Sequence, residues 1–279
     1  MQIREYSLQA GWFPRDSREV TSFLSPFSQG GVSPAGSSNA VIAPHAGWYY
    51  CGKIAARAIS SLRQAETIVV LGGHLPPGSP SLFAMEDAVK TPFGHLPIDS
   101  ELRTVLFREL AGSDDRYRDN TVEVLLPMVH YFFPKSKLLW LRLPAEKNSF
   151  NAGQQIAKAA AELNRKINVI ASTDLTHYGP NYGFSPHGRG ALRWVREVND
   201  ANFIKAVEAA DADEVLRCAE EDHAACSAGA VLGAMGFASS QGSSGKARGG
   251  PSLLEYATSA DVDRNEIPDS FVGYAAFVF

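Results

Sequence analysis

Four groups of residues in this sequence carry side chains able to bind metals or move protons. His45 lies in Pro44-His45-Ala46-Gly47, directly after the apolar run Ala40-Val41-Ile42-Ala43. His74 lies in Gly72-Gly73-His74, after Thr67-Ile68-Val69-Val70-Leu71. Asp174 and His177 lie in Ser172-Thr173-Asp174-Leu175-Thr176-His177-Tyr178, at the end of a third such run, Val169–Ser172. Cys226 lies in Ala224-Ala225-Cys226-Ser227-Ala228-Gly229. Imidazole suits Fe, Cu, Zn or Ni, and thiolate suits Cu(I) and Zn. Imidazole also works as a general acid or base near neutral pH. A carboxylate such as Asp174 ligates a metal, orients a ligand His or caps a helix. Taken singly, each residue has a simpler structural reading: capping or buried hydrogen bonding for the His residues, and a small buried hydrophobe for Cys226. Taken together, His45 and His74 follow two strand-like runs beside glycines that permit close backbone approach, and are placed to share a metal. His223 either bonds to Cys226 or faces solvent.

The elements that must position these groups read as an α/β pattern. Short β-branched runs alternate with helical spacing, which predicts a central mixed sheet flanked by helices. Strands are expected at 40–43, 67–71, 138–143, 169–172 and 273–279, and helices at 52–59, 149–163, 192–209 and 226–238. A helix beginning at Cys226 would lower its thiol pKa. Ser25–Ser38, Leu75–Pro80 and Ser239–Gly250 read as loops from their Ser, Gly and Pro content. Trp48, Tyr49 and Tyr50 line either a pocket or the core. The chain has 279 residues, 45 % apolar and 20 % charged, so it is neither disordered nor short of core. Three Cys make no disulfide framework, and Cys-x-x-Cys is absent. A net charge of −4 gives no pull toward nucleic acid or anionic membrane. With neither a signal-peptide pattern nor an apolar run near ~20 residues, the expected location is the cytoplasm. The candidate residues spread from 45 to 226, so one domain over residues 1–279 is expected.

In order along the chain, five segments resemble the Memo family (AmmeMemoRadiSam system protein B). They are Ala10-Gly11-Trp12-Phe13-Pro14, Pro44-His45-Ala46-Gly47-Trp48-Tyr49-Tyr50-Cys51-Gly52, Thr91-Pro92-Phe93-Gly94 with Pro97-Ile98-Asp99, Ser172–Tyr178, and Phe271–Phe279. The resemblance implies a fold similar to class III extradiol dioxygenases and a metal pocket of His45, His74 and Cys226, with His177 and Asp174 as catalytic residues. It carries three departures. Leu71-Gly72-Gly73-His74-Leu75 is one residue shorter than the family's L-G-P-S-H-H, so His74 is aligned across a gap. Ser227-Ala228 replaces the Gly-Arg after the family's Cys. Asp119-Asn120-Thr121-Val122-Glu123 stands where the family has E-H-S-x-E, so Asn120 replaces a His and Glu123 is kept.

Three functions remain open on this basis. The first is a dioxygenase-like oxidoreductase using a divalent metal, Fe(II) first and Cu or Zn as alternatives. There Cys226 replaces the carboxylate that an extradiol enzyme adds to its two His. The second is a non-catalytic, metal-containing module recognising a peptide or a small ligand, an aromatic molecule among the candidates, in the same pocket. The third is thiol redox chemistry at Cys226.

Overall fold

The apolar runs that precede the candidate residues become adjacent parallel strands. The computed structural model describes residues 1–28, 38–241, 250–262 and 268–279. In chain order the strands are β1 (Ile3–Arg4), β2 (Ala40–Ala43), β3 (Thr67–Gly72), β4 (Leu82–Phe83), β5 (Ala88–Thr91) and β6 (Gly94–Pro97). They continue with β7 (Ser113–Asp114), β8 (Lys137–Arg142), β9 (Ile167–Ser172), β10 (His177–Tyr178), β11 (Ser252–Thr258) and β12 (Phe271–Val278). The large sheet runs β10-β12-β2-β9-β3-β8-β4-β7, with β11 also paired to β12, while β1, β5 and β6 form a small second sheet.

The central strands β2, β9, β3 and β8 are parallel, and antiparallel β12 and β4 flank them, so the sheet is mixed. The register pairs Ala43 with Ser172, Leu71 with Ala171 and Gly72 with Arg142. The carboxyl ends therefore finish level, and the residues after them share one rim, the usual ligand side of an open α/β sheet.

These strands are buried on both faces, which is why they read as continuous apolar runs. Ile42, Val69, Leu71, Leu139, Leu141, Val169 and Ala171 point to one face, against the helices Asn148–Glu162, Asp200–Glu208, Ala212–Glu221 and Ala228–Gln241. Val41, Ala43, Ile68, Val70, Leu138, Trp140 and Ile170 point to the other, against Ser17–Leu24, Trp48–Ser60 and Leu126–Phe132. Among the described residues no helix is long and apolar enough to cross a membrane.

Several local expectations are corrected. The last long helix starts at Ala228 and not at Cys226, and it continues through Gln241, so Ser239–Gln241 are helical. The rest of the expected loop, 242–249, lies outside the described residues, as do 29–37 of the loop expected at Ser25–Ser38; Ser25–Phe27 form a 3₁₀ turn. The expected helix 192–209 runs as α-helix Ala191–Trp194, a π turn Val195–Asn199 and α-helix Asp200–Glu208. The π turn has a visible consequence: Asn199 Nδ2 donates to Thr176 Oγ1 at 2.9 Å, and adjacent Asp200 accepts from the Thr176 N–H at 3.1 Å. Both side chains thus anchor the segment that carries Asp174 and His177.

Candidate metal centre

Each candidate ligand sits two residues from the end of an element that fixes it. His45 follows β2 through Pro44, and His74 follows β3 through Gly73. His74 takes a left-handed backbone with φ 58°, a conformation His adopts more readily than most residues and one often found at functional sites. Cys226 lies in the loop two residues before the helix Ala228–Gln241. The loop carrying Gly73 lies on the Cys226 loop: a Cβ added at Gly73 would overlap the Ser227 side chain and come 2.8 Å from Ser227 Cα. Only a glycine allows the two loops this close.

The ligand atoms of His45, His74 and Cys226 lie within 4.8 Å of one another. His45 Nε2 is 3.2 Å from Cys226 Sγ, and the two imidazole rings meet edge to face with centroids 5.0 Å apart. At a tetrahedral ion with N and S ligand distances of ~2.1 and ~2.3 Å, these atoms stand about 3.6 Å apart, so an ion needs only a small opening of the pair. Each His has its other nitrogen engaged: His45 Nδ1 is 2.8 Å from Ser172 Oγ, and His74 Nδ1 is 2.9 Å from Asp119 Oδ2. That leaves Nε2 of both rings for the site, the arrangement found in metal-ligating histidines. The residues fit a transition metal held by two imidazoles and a thiolate. His45 is buried, whereas the His74 side chain is 32 % exposed, so the site opens on the His74 side.

Asp174 ties the two remaining ligand loops together. Its Oδ1 accepts from the His45 N–H at 2.7 Å, and its backbone carbonyl accepts from the Cys226 N–H at 3.2 Å. The residues after it form strand β10, so Asp174 caps no helix. Thr173 Oγ1 accepts from the Ser227 N–H at 3.2 Å and braces the same junction. His177 Nδ1 donates to the Leu175 carbonyl at 3.0 Å, which leaves its Nε2 without that proton. His223 instead packs its ring 4.8 Å from Phe184.

The charge state follows from these contacts. Burial alone would raise the Cys226 thiol, but the adjacent His45 and His74 pull it down to about 6. Burial alone would lower His74, but the Asp119 carboxylate and the Cys226 sulfur hold it up, to about 10. Without metal the two are one thiolate–imidazolium pair, and their titration belongs to the pair. Cys226 lies two residues ahead of the helix and not at its first turn as expected, and the two histidines supply the pull on its thiol. Burial raises Asp174, partly offset by His177, and burial lowers His177, partly offset by Asp174.

A depressed thiol pKa means that thiolate is present above about pH 6 and is lost as the pH falls through it. In metal-free protein the iodoacetamide rate at Cys226 should therefore rise through an inflection near pH 6, and H74A should move it upward. Burial raises Cys51 and Cys218, so neither competes in this range. An inflection at the ordinary thiol value of ~8.5 contradicts the pairing.

Residues 4–278 match the Memo-like protein family. A MEMO1 family protein of Methanopyrus kandleri is 32 % identical over 250 residues, covering 86 % of this chain and 82 % of that protein. Another, from Pyrococcus horikoshii, is 31 % identical over 297 residues and covers 99 % of both chains. This chain belongs to the Memo-like family. An uncharacterized Escherichia coli K12 protein of known structure aligns with 85 % of the chain at 13 % identity, with a TM-score of 0.47.

Several Memo-like motif residues turn out to brace the site. The Trp12 carbonyl accepts from the Trp48 N–H at 2.8 Å, and Phe13 and Trp48 pack in one core, so Ala10–Pro14 supports the His45 loop. Trp48 is buried, while Tyr49 and Tyr50 are exposed. Asp99 caps the helix Ser100–Glu109 and pairs with Arg165, and Thr91 Oγ1 bonds to His130, so the Thr91–Asp99 motif is structural here. Asn120, in place of the Memo-like His, donates from Nδ2 to the His45 carbonyl at 2.9 Å. Glu123 accepts from the Ser7 and Leu8 N–H groups at 2.9 and 3.1 Å and so fastens the N-terminal segment. Ser172 and Asp119 were missed as ligand-orienting residues. Both lie in the quoted motifs, and a buried polar residue closing an apolar strand was the available signal for Ser172.

Proposed function

We propose that the chain is a metal-dependent, dioxygenase-like oxidoreductase acting on a small phenolic or other aromatic molecule, with Fe(II) as first candidate and Cu or Zn as alternatives. The observation that carries the reading is the convergence of His45, His74 and Cys226, each His oriented through Nδ1. When bound, the metal supplies a Lewis-acid centre with positions left for a small molecule. His177 accepts the proton of the substrate hydroxyl at Nε2. Burial keeps that ring neutral near pH 7, and the Leu175 carbonyl fixes its tautomer. Asp174 holds the His45 and Cys226 loops in register. The Tyr182 ring, 5.0 Å from that of His177, gives an aromatic substrate a surface to meet. Three free thiols fit a reducing, cytoplasmic setting.

A second reading, a non-catalytic module for a peptide or small ligand, is favoured by Asn120: its amide carries no exchangeable charge and is spent on the His45 carbonyl. Oxygen uptake by iron-loaded protein over a panel of catechols and hydroquinones separates the two. The enzyme reading expects substrate-dependent uptake that falls roughly 100- to 10,000-fold in H177N while metal content stays unchanged. Full metal occupancy without uptake on any substrate supports the module.

A further inference from the structure

We propose that Arg142 is the positioning residue of the metal centre, locking His74 from two sides. It closes β8 opposite Gly72, and its side chain is only 4 % exposed. Its Nε donates to the Gly73 carbonyl at 3.0 Å, the peptide that leads into the left-handed turn at His74. Its Nη2 lies 3.2 Å from Asp119 Oδ2, the same oxygen that faces His74 Nδ1 at 2.9 Å. One guanidinium thus fixes both the backbone and the ring partner of a single ligand. Its third arm, Nη1, pairs with fully buried Asp115 at 3.3 Å. Asp115 in turn accepts from Trp140 Nε1 at 2.8 Å through Oδ2, and from Arg4 Nη1 at 2.7 Å through its carbonyl.

Three acceptors in three directions need the rigid fork of an arginine, because a lysine presents one point charge. Asp115 and Asp119 against Arg142 leave one net negative charge beside the metal site. A ligand arm held in this way is set before the metal arrives, and removing such outer support typically weakens metal binding ~10–100-fold.

The inference rests on the metal reading above, and its test separates the two. R142K keeps the charge, and R142M in a D115N background leaves no buried carboxylate unpaired. Thermal melting identifies the folded variants. Cobalt(II) titration, followed by thiolate-to-cobalt absorption, is expected to show ~10–100-fold weaker binding in either folded variant. The His74 ring protons of metal-free protein should change from one sharp set in wild type to broadened or multiple sets. A folded variant with wild-type affinity and one sharp His74 set overturns the proposal. Should wild type itself take up no cobalt, the metal reading falls, and the ring signals alone decide the role of Arg142.

Discussion

C226A loses tight metal binding, with a Kd about 100- to 1000-fold above wild type. Structural zinc is held with roughly 10–16 kcal/mol by four ligands, or about 2.5–4 kcal/mol per ligand, and 1.4 kcal/mol is tenfold. Cys226 is the one anionic donor of the set, so its removal also leaves the ion's charge uncompensated. The fold should tolerate the change. Cys226 is half-buried, and its N–H keeps the Asp174 carbonyl at 3.2 Å. Competition titration with a chromophoric chelator reads the affinity, and a melting curve checks the fold. Affinity within tenfold of wild type would mean that the thiolate is not a ligand.

G73A is expected to weaken binding on the order of 100-fold without touching a ligand atom, the upper range of outer-support effects. Its Cβ would fall onto the Ser227 side chain and 2.8 Å from Ser227 Cα, where ordinary contact needs about 3.4 Å or more. The His74 and Cys226 loops must part by several tenths of an ångström, and the ligands part with them. Overpacking of this kind costs about 1–3 kcal/mol of stability. Adding S227G removes the side chain that the new methyl meets but leaves the Cα at 2.8 Å, so part of the affinity should return. Equal weakening in the double variant would show that the defect lies in the backbone at Gly73 and not in the contact with Ser227.

The parallel centre of the fold was legible because its strands are buried on both faces: β2, β3, β8 and β9 were each expected within two residues of their observed ends. The two-residue strands β1, β4, β7 and β10 were not, since two residues hold no alternation to read. The helix start near Cys226 was placed two residues early because Ala, Ser and Gly continue the helical composition across the true boundary at Ala228.

His45, His74 and Cys226 were named together, and they do converge. What sequence could not supply was the orienting set. Asp119 is 45 residues from His74 and Ser172 is 127 from His45, and neither distance has a local signature. The departure at Asn120 looked like a loss, yet its amide supports the His45 carbonyl.

Anomalous difference density from a crystal soaked or grown with Fe(II), Co(II) or Zn(II) tests the central claim most directly. One peak is expected, ~2.0–2.1 Å from Nε2 of both His45 and His74 and ~2.3 Å from Cys226 Sγ. A fully loaded crystal whose peak lies elsewhere, or whose peak lacks any one of these three atoms as a ligand, would contradict it.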